Sequence, residues 1–209
     1  MHARWGTRVQ FLDVLIRQAH PGPAVPHYQS ESEKRADAAQ FVREEHIPYP
    51  VLVDDLAGTV HQVYGGLADP IYIIDTEGRV VYYNMWSYAP ALHEAIETLL
   101  ARGGRGVVKE GVNRAVYPLP SLVDGWRGLR KGLPQSYLDM EAAAPGLVDL
   151  TFVAHKLRPL LAPLALRATP LPPPVRYALL LAFLALPVWL LRRRERTVAP
   201  GPVRSAIPG

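Results

Sequence analysis

An imidazole that ends an apolar run and stands before Pro-Gly occupies a place where α/β proteins put chemistry, the carboxyl end of a strand. In VQFLDVLIRQAHPG, residues 9–22, that imidazole is His20. It can shuttle a proton near neutral pH or lower the pKa of an adjacent thiol. The chain itself offers no thiol. It has no cysteine, hence no disulfide, no thiolate metal site and no thiol nucleophile. The plainer reading is that His20 caps its loop before Pro21.

Other candidate groups divide the same way. Asp54 and Asp55 end the run VLVDD, and an acidic pair at a strand end can hold Mg²⁺ when a third carboxylate and a lysine join it. Asp75 is available as the third, but no lysine follows on a strand; the alternative is that one of the pair caps the next helix. His46, His61 and His93 have no paired ligand spacing, so no metal site is expected. No glycine-rich phosphate loop follows any strand, and no cofactor is expected. Tyr72, Tyr82, Tyr83 and Trp86 read as cross-strand packing or as a ligand platform. Asp13 lies inside the first strand, either surface-facing or buried.

The elements that must position these groups fill residues 1–101. Val9–Ile16 reads as a strand buried on both faces. Ser30 or Ser32 caps a helix over about 31–46, with Ala38, Phe41 and Val42 on one face. YPVLVDD is a second strand. LAGTVHQVYGG is a short helix ended by Gly65-Gly66. PIYIID and RVVYYN are strands joined by Thr76-Glu77-Gly78, which is hairpin length. APALHEAIETLLA closes the region as a helix with Leu92, Ile96, Leu99 and Leu100 on one face. The order β-α-β-α-β-β-α makes an α/β sandwich.

Charge changes along the chain. Residues 1–100 hold 7 Lys+Arg and 13 Asp+Glu, whereas 101–209 hold 16 and 6. The basic residues lie among prolines and leucines without interleaved aromatics, which argues against a nucleic-acid partner. Residues 102–174 read as a Pro/Gly/Arg-rich linker with short helices near 121–131 and 147–162 and no further sheet. Residues 177–191, YALLLAFLALPVWLL, carry no charge and precede RRRER. Over 175–196 this suggests a transmembrane helix with a basic flank, Trp189 and Tyr177 as interfacial aromatics and the tail on the cytoplasmic side. An interfacial or buried helix is the alternative. A membrane is therefore the expected location and partner, and 197–209 a disordered tail.

Four stretches together resemble the thioredoxin-like redoxin and iodothyronine-deiodinase family: FLDVLIRQAHPG, YPVLVDDLAGTVHQVYGG, DPIYIIDTEGRVVYYN and the closing helix. The resemblance covers residues 1–101. It implies a thioredoxin-like fold, N-terminally incomplete, and thiol or selenol exchange with a thioredoxin- or glutathione-type reductant. It also implies a catalytic His20 and a groove at Asp69-Pro70 with Pro70 in cis; an ordinary proline at a strand's first residue is the alternative. The family's nucleophile-bearing strand and helix are absent, Gln18 stands where deiodinases have Glu, and Tyr28 where they have a second His. The missing strand belongs between Val9–Ile16 and Pro70–Asp75, so Phe11 and Tyr72 are expected in one sheet on either side of a vacancy, in a chain that reads as truncated. Two functions follow: a membrane-anchored redoxin-type oxidoreductase, inactive without its nucleophile, or a non-catalytic peptide-binding module.

Overall fold

A computed structural model of the chain describes residues 1–169 together with 171–175, 177–179, 181 and 185. Its first element is a single helical turn, α1 (His2–Trp5), which buries Trp5. The chain then runs extended, and Val9 and Phe11 pack against the core before any strand pairing begins. β1 is only Asp13–Leu15, shorter than the Val9–Ile16 read from the apolar pattern. Hydrophobicity marks what is buried; a strand also needs a partner, and β2 (Val51–Val53) is only three residues long. The two are parallel, with Asp13 opposite Val51 and Leu15 opposite Val53.

α2 (Glu31–Glu44) joins them. Ser30 Oγ accepts from the Glu33 N–H at 3.2 Å, while the Glu33 carboxylate accepts from the Gln29 N–H at 2.8 Å. The first bond satisfies a donor that a helix start leaves free, and the second ties the residue before the cap to the first turn. The buried side chains of α2 are Lys34 and Ala38, whereas Phe41 is partly exposed. α3 (Thr59–Val63) follows β2.

β3 (Ile71–Ile74) and β4 (Val80–Asn84) form the antiparallel hairpin, and Gly78 at φ 77° supplies the left-handed turn. Asp75 organises that turn by accepting from the Glu77 and Arg79 N–H groups and from the Arg79 guanidinium. A bulge between Ile73 and Ile74 shifts the register, and both Val81 and Tyr82 are buried. α4 (Ala89–Ala101) covers the hairpin, giving a core of Trp5, Ile73, Val81, Tyr82, Ala95, Ile96, Leu99 and Val108. Each large side chain buried there contributes about 1.5–3 kcal/mol.

Beyond α4 the chain continues with one more strand and a set of short helices. β5 (Val112–Asn113) adds a short parallel strand to β4, so a further strand exists where none was expected. Residues 118–165 carry α5 (Pro118–Asp124), α6 (Trp126–Leu129), α7 (Gln135–Ala143), α8 (Leu147–Lys156) and α9 (Arg158–Ala165). These helices have their own apolar cluster of Val123, Ala154 and Ala165, flanked by Leu122, Leu161 and Leu166.

Three expectations are corrected here. The strands form two sheets, β1-β2 and β3-β4-β5, so β1 and the strand carrying Tyr72 belong to different sheets rather than to one four-stranded sheet, and Phe11 precedes β1. The Asp69–Pro70 peptide is trans; among the described residues the cis bond is Leu133–Pro134, and Pro70 is the ordinary proline that opens a strand. Finally, no helix among the described residues is long and apolar enough to cross a membrane. The fifteen uncharged residues 177–191 would span only about 22 Å as a helix, against a bilayer core of about 30 Å. The transmembrane helix and the membrane location with its cytoplasmic tail are therefore withdrawn. Most of 175–196, and all of the expected disordered tail 197–209, lie outside the described residues.

Candidate functional site

Parallel pairing brings the carboxyl ends of β1 and β2 to the same end of their sheet, the usual place for ligands in open α/β sheets. The loop between β1 and α2 and the turn between β2 and α3 emerge there. Gln18 donates to the Tyr28 hydroxyl at 2.8 Å and to Asp37 Oδ2 at 3.3 Å. Tyr28 in turn donates to Asp37. Burial, and then the Asp37 bond, push the Tyr28 hydroxyl pKa far above the ordinary tyrosine value. Tyr28 is therefore a neutral donor at every physiological pH. Gln18, Tyr28 and Asp37 thus form one hydrogen-bonded cluster.

Lys34 is 2% exposed. Its ammonium donates to the Asp55 carbonyl at 3.0 Å and lies 5.8 Å from the Tyr28 ring centroid. A buried cation needs such partners, and the carbonyl dipole and ring face supply them. The acidic pair is committed to capping α3. The Asp54 carboxylate accepts from the N–H groups of Asp55, Val60 and His61, each at 2.9 Å. Asp55 accepts from the Thr59 N–H at 2.9 Å, and the Thr59 side chain and backbone hold its carboxyl below the usual range. No group of acidic and histidine side chains among the described residues is arranged to hold a metal ion.

His20 does have a carboxylate partner, and it comes from the helical region. Its Nδ1 lies 3.2 Å from Asp139 Oδ2 on α7, and Asp139 Oδ1 accepts from Gln135 Nε2 at 2.6 Å. A carboxylate that orients an imidazole is the base half of a hydrolytic triad. The nucleophile half is missing, since no hydroxyl among the described residues is hydrogen-bonded to His20. The contact depends on a close backbone approach, because a Cβ at Gly22 would sit 2.5 Å from the Gln135 Cβ.

The second expected cluster lies elsewhere. Asp69 precedes β3, and the Ser87 N–H donates to its carboxylate. Nearby in the ladder, Asn84 pairs with Ile71 and is fully buried; its Oδ1 accepts from the Trp86 N–H, while its Nδ2 has no partner among the described residues. No hydrogen bond among the described residues joins His20 to Asp69 or Pro70. Tyr72 packs between Tyr64 and Tyr83 with centroids 4.9 Å from each, and its hydroxyl donates to the Tyr64 carbonyl, which is cross-strand and turn packing.

The strands also carry unused backbone groups. Asp13 N–H donates to Pro50 and Asp54 N–H to the Leu15 carbonyl, so Asp13 and Leu15 face β2 and Val14 faces away. On β3, Asp75 N–H donates to Arg79, and alternation turns Ile73 and Ile71 toward β4 and Tyr72 and Ile74 outward. Among the described residues no strand pairs with either outward edge. Sequence reasoning missed Asp139, Gln135 and Lys34. Only Lys34 left a signal, four residues before Ala38 on the buried face of α2.

No protein-family model matches the chain, and no curated protein or solved structure matches it.

Proposed function

We propose that residues 1–113 are a non-catalytic module that binds an extended peptide by strand addition. The observation that carries this reading is the pair of bare edges, with Val14 on β1 and Tyr72 and Ile74 on β3 offering unpaired N–H and C=O groups. Such edges recruit extended chains, backbone bonds giving affinity and alternate side chains giving specificity. Exposed apolar residues beside them, Leu12 next to β1 and Ile74 on β3, offer those side chains a partner surface.

The oxidoreductase reading has less support. Thiol exchange needs a nucleophile this sequence lacks, His20 is engaged by Asp139, and Asp69–Pro70 is trans. On this account the chain gives no thiol-dependent insulin reduction, and measurable turnover would contradict the assignment.

Selection of random displayed peptides against the full chain, followed by two edge variants, tests the proposal. Val14→Pro and Ile74→Pro each remove an N–H that points away from the existing ladder, so pairing within each sheet survives. Selected peptides are expected to alternate apolar and polar residues and to lose binding to at least one variant. Undiminished binding to both variants overturns strand addition.

A further inference from the structure

We propose that helices α5–α9 form a detachable cap, held over the loop between β1 and α2 by an electrostatic seam. The cap has its own apolar cluster, made only of residues from 122 to 166, and shares none of the core beneath β3 and β4. Its far edge meets the α/β layer through polar contacts. Arg127 bonds Glu45 at 2.9 Å, Lys131 bonds Glu44 at 2.7 Å, and Asp139 meets His20 at 3.2 Å. All six side chains are partly exposed, between 27% and 59%, so added salt screens the two Arg/Lys–Glu pairs.

The near edge is built differently. Val108 N–H donates to the Val81 carbonyl, β5 pairs with β4, and Tyr88 stacks on Tyr117 at 3.9 Å. One side is thus fastened by sheet pairing and stacking, the other by two solvated ion pairs, the His20–Asp139 hydrogen bond and the close packing of Gly22 against Gln135. Weakening the seam swings the cap about residues 114–117 and uncovers His20, Gly22 and the backbone around them. The cap therefore gates the carboxyl end of β1 in response to ionic strength or to a charged competitor for Glu44 and Glu45. The inference rests on the charge seam and not on strand binding.

Amide hydrogen exchange on the full chain tests it. Glu44→Lys with Glu45→Lys places like charges against Lys131 and Arg127. Exchange in α7 and in residues 20–25 is expected to accelerate about tenfold, on the scale of two exposed ion pairs lost and made repulsive. Amides of β3, β4 and α8 keep their rates, and 1 M salt reproduces the pattern in the unaltered chain. Adding Arg127→Glu and Lys131→Glu restores the original protection. Unchanged exchange in α7, acceleration spread evenly over β3, β4 and α8, or no recovery in the charge-swapped chain overturns the proposal.

Discussion

His20 shows what a single residue does and does not reveal. Its place after an apolar run is readable from sequence, but its partner Asp139 is 119 residues away on a helix that composition does not announce. Asp54 is the opposite case, because a carboxylate before a helix start advertises its capping role. With three N–H groups on one buried carboxylate, Asp54→Ala is expected to destabilise the chain by about 1–2 kcal/mol in urea unfolding; no change would mean α3 does not depend on this cap. Asp13 carries a pH prediction. Burial raises its carboxyl pKa above 3.8, with Tyr49 acting the other way. A raised carboxyl pKa means that the folded state prefers the protonated form. The penalty is absent below the unfolded value and grows as pH rises through the folded one. Asp13→Asn should therefore raise the thermal midpoint at pH 7 and leave it nearly unchanged at pH 3. Equal shifts at both pH values would show that charge is not the cause.

At the scale of elements, the hairpin, α2, α3 and α4 were legible because each combines a period with a stop signal. The helix bounds lie within a few residues of the expected ones. β1 came out shorter because Val9 and Phe11 are partly buried by packing rather than by pairing. β5 is two residues long and has no periodicity to read. Short helices were expected near 121–131 and 147–162, where α5, α6, α8 and α9 lie; α7, which follows Gly132 and Pro134, was not. Gly22 marks the contact between the β1–α2 loop and α7. Gly22→Ala places a carbon against Gln135 and should cost about 1–3 kcal/mol, as overpacking does. Gln135→Gly removes the opposing carbon, so the double variant should recover part of the loss. Simple additivity in a double-mutant cycle would place the strain elsewhere.

Across the whole molecule, the sequence pattern was right about an α/β layer and misleading about its surroundings. A run of fifteen uncharged residues looked like a span, although it is short for one. The four strands looked like one interrupted sheet, and they lie in two. An open slot and two independent sheets share one physical property, backbone edges without partners, and strand addition needs only that. Residue-resolved amide exchange on the free chain measures it directly. Val14, Tyr72 and Ile74 are expected to exchange at least about tenfold faster than Leu15 and Ile73, whose N–H groups face a partner strand. Equal protection at all five positions would mean that the edges are already occupied, and the account of this chain as a strand-binding module would fail.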